Sequence, residues 1–468
     1  MRTRGKKRPQ KPPPAHLRKN RCTCLMYAAD AIHPNKTLEE KLQLIYTFRA
    51  GDKRLNLTIR QPYLDLLADL GNPHLHLPPV IHAAGTNGKG STLATIRAIL
   101  EAAGKTVHVY TSPHLHAFNE RIRIAGTLID DDDLEKRLDQ VIDLAAEREL
   151  TFFEVTTAMA LKAFADHPAD FTLLETGLGG RLDCTNIVPH PALTLISHIG
   201  MDHMEFLGDQ LADIAAEKAG IMKENAPCLI AKQDDDALYA QFAMLAAAKN
   251  APLYRYDRDW HTAAENGASG TLTFDDMRGD TQTRHVFPRP VLAGPHQIDN
   301  AGTAIMACKL LCPDDITDTQ ISDGLRAVSW PARLEPITQG RIYDRIATGC
   351  TLWYDGGHNE DAGAALARQA ALWQAEDNAP LYLVVGMMAH KDAAAYVRHL
   401  APYATRIHTI PIVDAAESAC TPDALKQKID HLHPHIDAYS TLESAIDAIP
   451  PRSRILLSGS LYLASNLS

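Results

Sequence analysis

The chain has no apolar run long enough to cross a bilayer, no CxxC pair and no acidic residue before Asp30. Each absence excludes a class. A membrane-spanning helix needs about 20 consecutive apolar residues, so membrane insertion is not expected. The eight cysteines are scattered, with only Cys22 and Cys24, and Cys308 and Cys312, close in sequence. That pattern suits neither a disulfide framework nor a zinc site, and it predicts free thiols in a reducing cytoplasm. Nine Lys or Arg residues fall within the first 21, together with Pro12-Pro13-Pro14 and no hydrophobic segment. Residues 1–36 are therefore expected to be a disordered basic tail and not a secretory signal. A transit peptide, or a true start at Met26, fits the same stretch. Removing those nine from the 47 basic residues leaves 38 against 57 acidic ones, a formal −19. This is the wrong sign for a folded part that binds nucleic acid.

What is present suffices for packed cores: 45% hydrophobic residues and 22% charged ones over 468 residues, enough for two domains. From Thr37 the pattern TLEEKLQLIYTF is helical, with Thr37 and Glu40 spaced as a capping box. Strand-like runs at Val80–Ala84, Val107–Tyr110, Phe171–Glu175, 193–197 and 228–231 alternate with helical ones at 91–103, 132–147, 154–165 and 210–219. Such alternation predicts an α/β fold with a parallel sheet covered by helices on both faces. Between about Tyr254 and Pro290 the character changes to short hairpins. Trp330-Pro331 looks like a hinge, and a second strand series follows at 351–354, 382–386, 406–410 and 454–458. The expected division is a larger α/β domain over 37–329, a hinge over 330–332 and a smaller Rossmann-like α/β domain over 333–468.

Gly85-Thr86-Asn87-Gly88-Lys89-Gly90-Ser91 lies between the first strand and the first of these helices. Three glycines let backbone N–H groups converge on an anion, Lys89 adds charge, and the Ser91 hydroxyl can reach a magnesium ion at the helix N-terminus. The usual phosphate loop has Ser or Thr directly after the lysine; here Gly90 intervenes. Glu175 ends a strand before the glycine-rich turn Thr176-Gly177-Leu178-Gly179-Gly180. There a carboxylate can hold magnesium. His203, in Gly200-Met201-Asp202-His203, and Lys218, near a helix end, carry no role from spacing alone.

AGTNGKGS, TSPHL, TFFEVTTA, LETGLGGRLDCTN, SHIGMDHMEFLG, AAEKAGI, GPHQIDNA, WPARLE, YDGGHNEDA and LLSGSLYL follow one another in order. From about Thr37 to the last residue the chain resembles the folylpolyglutamate synthase and dihydrofolate synthase family, a branch of the Mur ligases. The loop with Gly between Lys and Ser is similar to that family's ATP loop. The resemblance implies that Lys89 and Ser91 serve ATP phosphate and magnesium, with Glu175 as a magnesium ligand. It implies a second magnesium on His203 and on Lys218, the latter as a carbamate. Gln297 and Asn300 would meet the nucleotide, and Arg333, Asp355 and His358 would close over it from the second domain, with Lys89, Arg333 and His358 carrying the catalytic charges. Phe152, Phe153, Ser112 and Pro113 match the parts that approach a pterin; aromatic faces suit a flat heteroaromatic ring. Gly356-Gly357 stands where the family commonly has Gly-Ala. Lys391 and Asp392 match a further signature without a chemical step.

The activity so implied is ATP-dependent amide formation. Dihydropteroate is joined to L-glutamate, and γ-linked glutamates are then added to a reduced folate, through an acyl phosphate, in a monomeric cytoplasmic enzyme. Open alternatives within the fold are dihydrofolate synthesis alone or a cell-wall ligase. A different class would be a nucleotide-gated binding or motor protein.

Overall fold

The computed structural model describes residues 31–49, 59–265, 270–415 and 418–467. Most of the expected basic tail, residues 1–30, lies outside them. The strand Val80–Ala84 (β1) is buried at every position, which is what an apolar run reads as when a parallel sheet is covered on both faces. Around it the first domain builds an eight-stranded sheet from β2 (Val107–Tyr110), β3 (Ile122–Ile124), β4 (Thr127–Leu128), β5 (Phe171–Glu175), β6 (Leu193–Ile196), β7 (Cys228–Ile230) and β8 (Leu253–Arg255). Their spatial order is β4-β3-β2-β5-β1-β6-β7-β8. Pairings are parallel except for the β2–β3 and β3–β4 edge. Alternate residues face opposite layers: Ile81 and Leu173 enter one core, and Val80 and Leu174 another.

Strands β5 and β6 flank β1, while β2, next in the chain, lies beyond β5. A crevice therefore opens at the carboxyl ends of β1, β5 and β6, where the strand order reverses and ligands bind in open α/β sheets. Gly85 follows β1, Glu175 ends β5, and the chain leaving β6 leads to His203. Their shared end of the sheet is the first thing that makes them one site.

The stretch read as hairpins is a three-stranded antiparallel sheet of β9 (Trp260–Glu265), β10 (Thr271–Asp276) and β11 (Thr283–Pro288), whose apolar side joins the core under the Lys89–Ala102 and His296–Leu311 helices. The second domain is a six-stranded sheet of β12 (Glu335–Ile337), β13 (Thr351–Asp355), β14 (Leu381–Val385), β15 (Arg406–Thr409), β16 (Ile436–Ala438) and β17 (Arg454–Ser458), in the order β12-β13-β17-β14-β15-β16. All its pairings are parallel except β12–β13. No helix among the described residues is long and apolar enough to cross a membrane.

Two expectations at the N-terminus are corrected. The first helix is Lys36–Tyr46 and its cap is Asn35, whose side chain accepts from the Thr37 N–H; Thr37 lies inside the first turn. The ordered body also begins before Thr37, because Ala31 is buried in the core and His33 Nε2 lies 2.6 Å from Asn119 Oδ1.

His82, fully buried in β1, meets Thr185 Oγ1 at 2.8 Å, and burial pushes its imidazole down to about 3. The folded state thus refuses a proton that the unfolded chain accepts below about 6.5. The resulting stability is present above pH 6.5 and is lost as pH falls toward 3, by about 2 kcal/mol between pH 6.5 and pH 5. Urea midpoints compared at pH 7.5 and pH 5 should fall for the wild type and fall less for His82→Gln; equal slopes would contradict this assignment.

Candidate functional site

The helix Lys89–Ala102 begins directly after the glycine loop, with Gly88 at its N-cap at a φ of 87°. Neighbouring side chains occupy the space that side chains on the loop would need. A Cβ on Gly85 would strike Ser197, and one on Gly88 would lie 2.6 Å from Asn300 Oδ1. The free N–H groups of the first turn and the positive end of the helix dipole make this an anion cradle. Ser91 is buried, and its Oγ accepts a long hydrogen bond from Gln297 Nε2 at 3.4 Å. Gln297 is positioned in turn by Asn300, whose Nδ2 donates to its Oε1 at 2.9 Å. Thr86 Oγ1 donates to Gly200 O at 3.0 Å, tying the loop to the segment after β6.

Lys89 folds back on this loop, donating to Gly85 O at 2.9 Å and lying 4.0 Å from Glu175 Oε1. Lys218, reached from a different helix, donates to the same Gly85 carbonyl at 2.9 Å. Two lysine amino groups thus share one backbone acceptor. Burial, and then the charge of Lys89, lower the Lys218 amine to about 7. Much of it is neutral at physiological pH, as an amine must be to act as a nucleophile. Glu175 is buried, and burial raises its carboxyl against the pull of Lys89, the Ser112 N–H and Arg333. Among the described residues its Oε2 receives only a long hydrogen bond, 3.3 Å, from Ser112 N. A cavity joins Gly85, Thr86, Lys89, His203 and Lys218 with the Gly177–Gly179 turn. That turn is fixed by Asp183, whose Oδ2 accepts from the N–H groups of Gly177 and Leu178 at 3.0 and 2.9 Å.

Asp202 is the side chain on which the two domains meet. Its Oδ1 takes the Lys391 ammonium at 2.6 Å, while Oδ2 takes Asn359 Nδ2 at 3.2 Å and lies 3.6 Å from His358 Nε2. Burial alone would raise its carboxyl, but His358, His203 and Lys391 together hold it well below the usual range. Burial lowers the His203 imidazole to about 4, so at neutral pH it presents a ring-nitrogen lone pair. Asn87 completes the junction, exchanging hydrogen bonds of 3.2 Å with Asn359.

The other expected residues divide. The positive charge of Arg333, from the second domain, favours the ionised forms of both Glu175 and Asp355 against their burial, so its field is felt at the crevice. Asp355 is buried and turned to its own backbone, accepting from Leu334 N at 2.8 Å and Gly357 N at 2.7 Å; it holds the segment carrying Arg333. His358 sits on Asp202. Phe153 stacks on Tyr110 and fills the space beside Gly177, at the site, whereas Phe152 is buried against Tyr46, with ring centroids 4.3 Å apart, and Phe118. Ser112 and Pro113, joined by a cis peptide bond, border Glu175. Lys391 belongs to the junction, while Asp392 caps the Ala393–Leu400 helix. Sequence reasoning missed Asp202 and Asp183, although both lie inside quoted motifs. Nothing in a linear pattern separates a carboxylate that bridges domains from one that meets solvent.

Among the described residues no three His, Cys, Asp or Glu side chains converge as a metal cage. One under-bonded buried carboxylate beside a phosphate cradle still fits magnesium, which keeps waters and phosphate oxygens and needs few protein ligands.

The Mur ligase middle domain family matches residues 83–308, the part holding the loop, Glu175, His203 and Lys218. The dihydrofolate synthase/folylpolyglutamate synthase of Bacillus subtilis strain 168 is 32% identical over 426 residues, covering 86% of this chain and 92% of that protein. The chain belongs to the dihydrofolate synthase/folylpolyglutamate synthase family. The structure of Escherichia coli FolC in complex with DHPP and ADP superposes with a TM-score of 0.77 at 26% identity, over 90% of this chain and 95% of that one. A bifunctional folylpolyglutamate synthase/dihydrofolate synthase from Yersinia pestis CO92, complexed with AMPPNP and a manganese ion, gives 0.76 at 27% identity over 90% and 95%. Family membership thus accounts for the two-domain α/β fold.

Asp202→Ala would leave the Lys391 ammonium, nearly buried, without its carboxylate, a change that costs about 3 kcal/mol or more in a buried pair. Small-angle scattering should record a larger radius of gyration for the variant, and an unchanged radius would show that the pair does not hold the domains together.

Proposed function

We propose that this chain is an ATP-dependent ligase that joins L-glutamate to dihydropteroate and extends a reduced folate with γ-linked glutamates. The observation that carries the reading is the meeting of the phosphate loop, Lys89, Lys218 and Glu175 in one crevice with Arg333 arriving from the second domain, in a member of this family. A carboxylate is a poor acyl donor. The γ-phosphoryl group of ATP passes to a carboxylate oxygen of the pterin substrate, and ADP leaves. The amine nitrogen of glutamate then attacks the acyl carbon, phosphate departs, and the nitrogen loses its extra proton. Lys89, at the head of the helix, neutralises the transferring phosphoryl group from one side and Arg333 from the other.

Ser91 and Glu175 would hold one magnesium ion, and His203 with Lys218 as its carbamate a second. Carbamylation would convert a cation, which repels metals, into an oxygen donor. Bound there, magnesium would offset the negative charge of the phosphate oxygens. Gln297 and Asn300 align the nucleotide side of the loop, and Phe153 offers a face for the pterin. The work divides between an ATPase domain over 37–329 and a C-terminal domain over 333–468. Contact between them excludes water, which would otherwise hydrolyse the acyl phosphate. A monomer in the cytoplasm suffices for this chemistry.

Incubation with ATP, magnesium, dihydropteroate and labelled glutamate should yield a labelled pterin product, and incubation with tetrahydrofolate a γ-glutamyl product. Product in the first alone would reduce the reading to dihydrofolate synthesis. ATP turnover without an amide product in either would move the chain to a nucleotide-gated class. Lys218→Ala should lower the magnesium-dependent rate at least about a hundredfold; a near-normal rate would remove Lys218 from the metal site.

A further inference from the structure

Gly90 interrupts the usual phosphate-loop order, yet its backbone does not require glycine. It lies inside the helix Lys89–Ala102 and is absent from the positive-φ glycines. Any L-residue could adopt that conformation. What forbids a side chain is Trp330: a Cβ on Gly90 would lie 2.6–2.7 Å from Cζ2, Cε2 and Nε1 of its indole. An indole is a large rigid plane, and it has no flexible end to move aside.

The path of the chain explains how the indole arrives there. The helix Asp318–Ala327 crosses the Lys89–Ala102 helix so closely that a Cβ on Gly324 would meet the Ile99 backbone at 2.5 Å. From that crossing Val328 and Trp330 pack with Ala94 and Ala98. Gly90, Ala94 and Ala98 are spaced one helical turn apart and share a face. The linker therefore runs back along small residues to the head of the helix. Trp330 is its last anchor on the first domain before Arg333; Ala332, between them, is already buried in the second.

We propose that Trp330 is a positioning residue: its indole, seated on Gly90, fixes the interdomain linker against the phosphate loop and thereby sets where Arg333 meets the transferring phosphoryl group. Gly90 is the socket for this seat, and its lack of a side chain serves the linker. The proposal rests on the reading of the loop as the ATP site.

The test is a double-mutant cycle on the full chain, read by calorimetric ADP binding with magnesium and by kcat and KM for ATP in the ligation assay. Gly90→Ala should weaken ADP binding at least about tenfold, the scale of overpacking a tight contact. In a Trp330→Ala background the same Gly90→Ala change should cost less than about threefold, because the obstruction is gone. Trp330→Ala alone should lower kcat about tenfold with little change in KM for ATP, and Trp330→Phe should restore most of it. A Gly90→Ala penalty that is equal in both backgrounds, while the wild type binds ADP, overturns the seat and leaves the ATP site intact. A wild type that binds no ADP overturns the ATP site itself, and the proposal with it. Should Gly90→Ala fail to fold, intrinsic fluorescence decides: ADP should change the emission of the wild type and not of Trp330→Phe, and an equal response in both overturns the proposal.

Discussion

The site depends on a shortage of space around the first turn of the Lys89–Ala102 helix. Ser197, Asn300 and Trp330 stand where side chains of Gly85, Gly88 and Gly90 would be. They come from the loop after β6, from the His296–Leu311 helix and from the linker, so three distant stretches are registered against one turn. Close approach leaves the backbone N–H groups as the loop's main chemical surface, the arrangement that an anion-binding helix terminus needs. Gln297, behind Ser91, is placed by the same contacts through Asn300.

Charge is the second constraint, and it follows from burial. Lys89, Lys218, Glu175 and Asp202 are all largely removed from water. Isolated buried charges are costly unless they are paired or neutralised. The protein resolves this differently at each position. Asp202 is fully partnered across the domain junction, so it remains a firm anion. Lys218 has one carbonyl and no carboxylate bonded to its Nζ among the described residues, and burial, with the charge of Lys89, lowers its amine to about 7. Glu175 keeps a weakly bonded oxygen beside a cradle for anions. Under-satisfied groups at a crevice are where a ligand gains the most, because it completes bonds that the fold leaves open.

The sequence was most legible where the physics is local. Alternation of apolar runs with helical periodicity located β1, β2, β5 and β17 to the residue, since a buried parallel strand needs only its own apolar side chains. It missed the edge strands β4, β8, β12 and β16 and the short β3 beside β4, which owe their pairing to a neighbour. The first helix cap illustrates the same limit. Thr37 and Glu40 have the spacing of a capping box, but Asn35 captured the terminus by accepting from the Thr37 N–H. In the site, Gly85 to Ser91 and Glu175 could be read from the residues because loop chemistry and strand ends are visible in a linear pattern. His203 and Lys218 gained a role only through family resemblance. Asp202 had none, because its partners Asn359 and Lys391 are remote in the chain and belong to the other domain.

The two domains are joined by polar contacts at the mouth of the crevice, and this has a bearing on catalysis. A large apolar seam would hold the domains together whether or not substrates were present, whereas Asp202, Asn87, Asn359 and Lys391 are held by bonds that water can replace. Such a junction suits a ligase that must admit a nucleotide, a pterin acid and an amino acid and later release its products. The linker anchors on the Lys89–Ala102 helix, so the second domain stays registered to the phosphate loop while its far contacts open. Arg333, close to that anchor, would move least. The groups on Asp202 belong to later stretches of the second domain, at Asn359 and Lys391, and are held by hydrogen bonds and an ion pair alone.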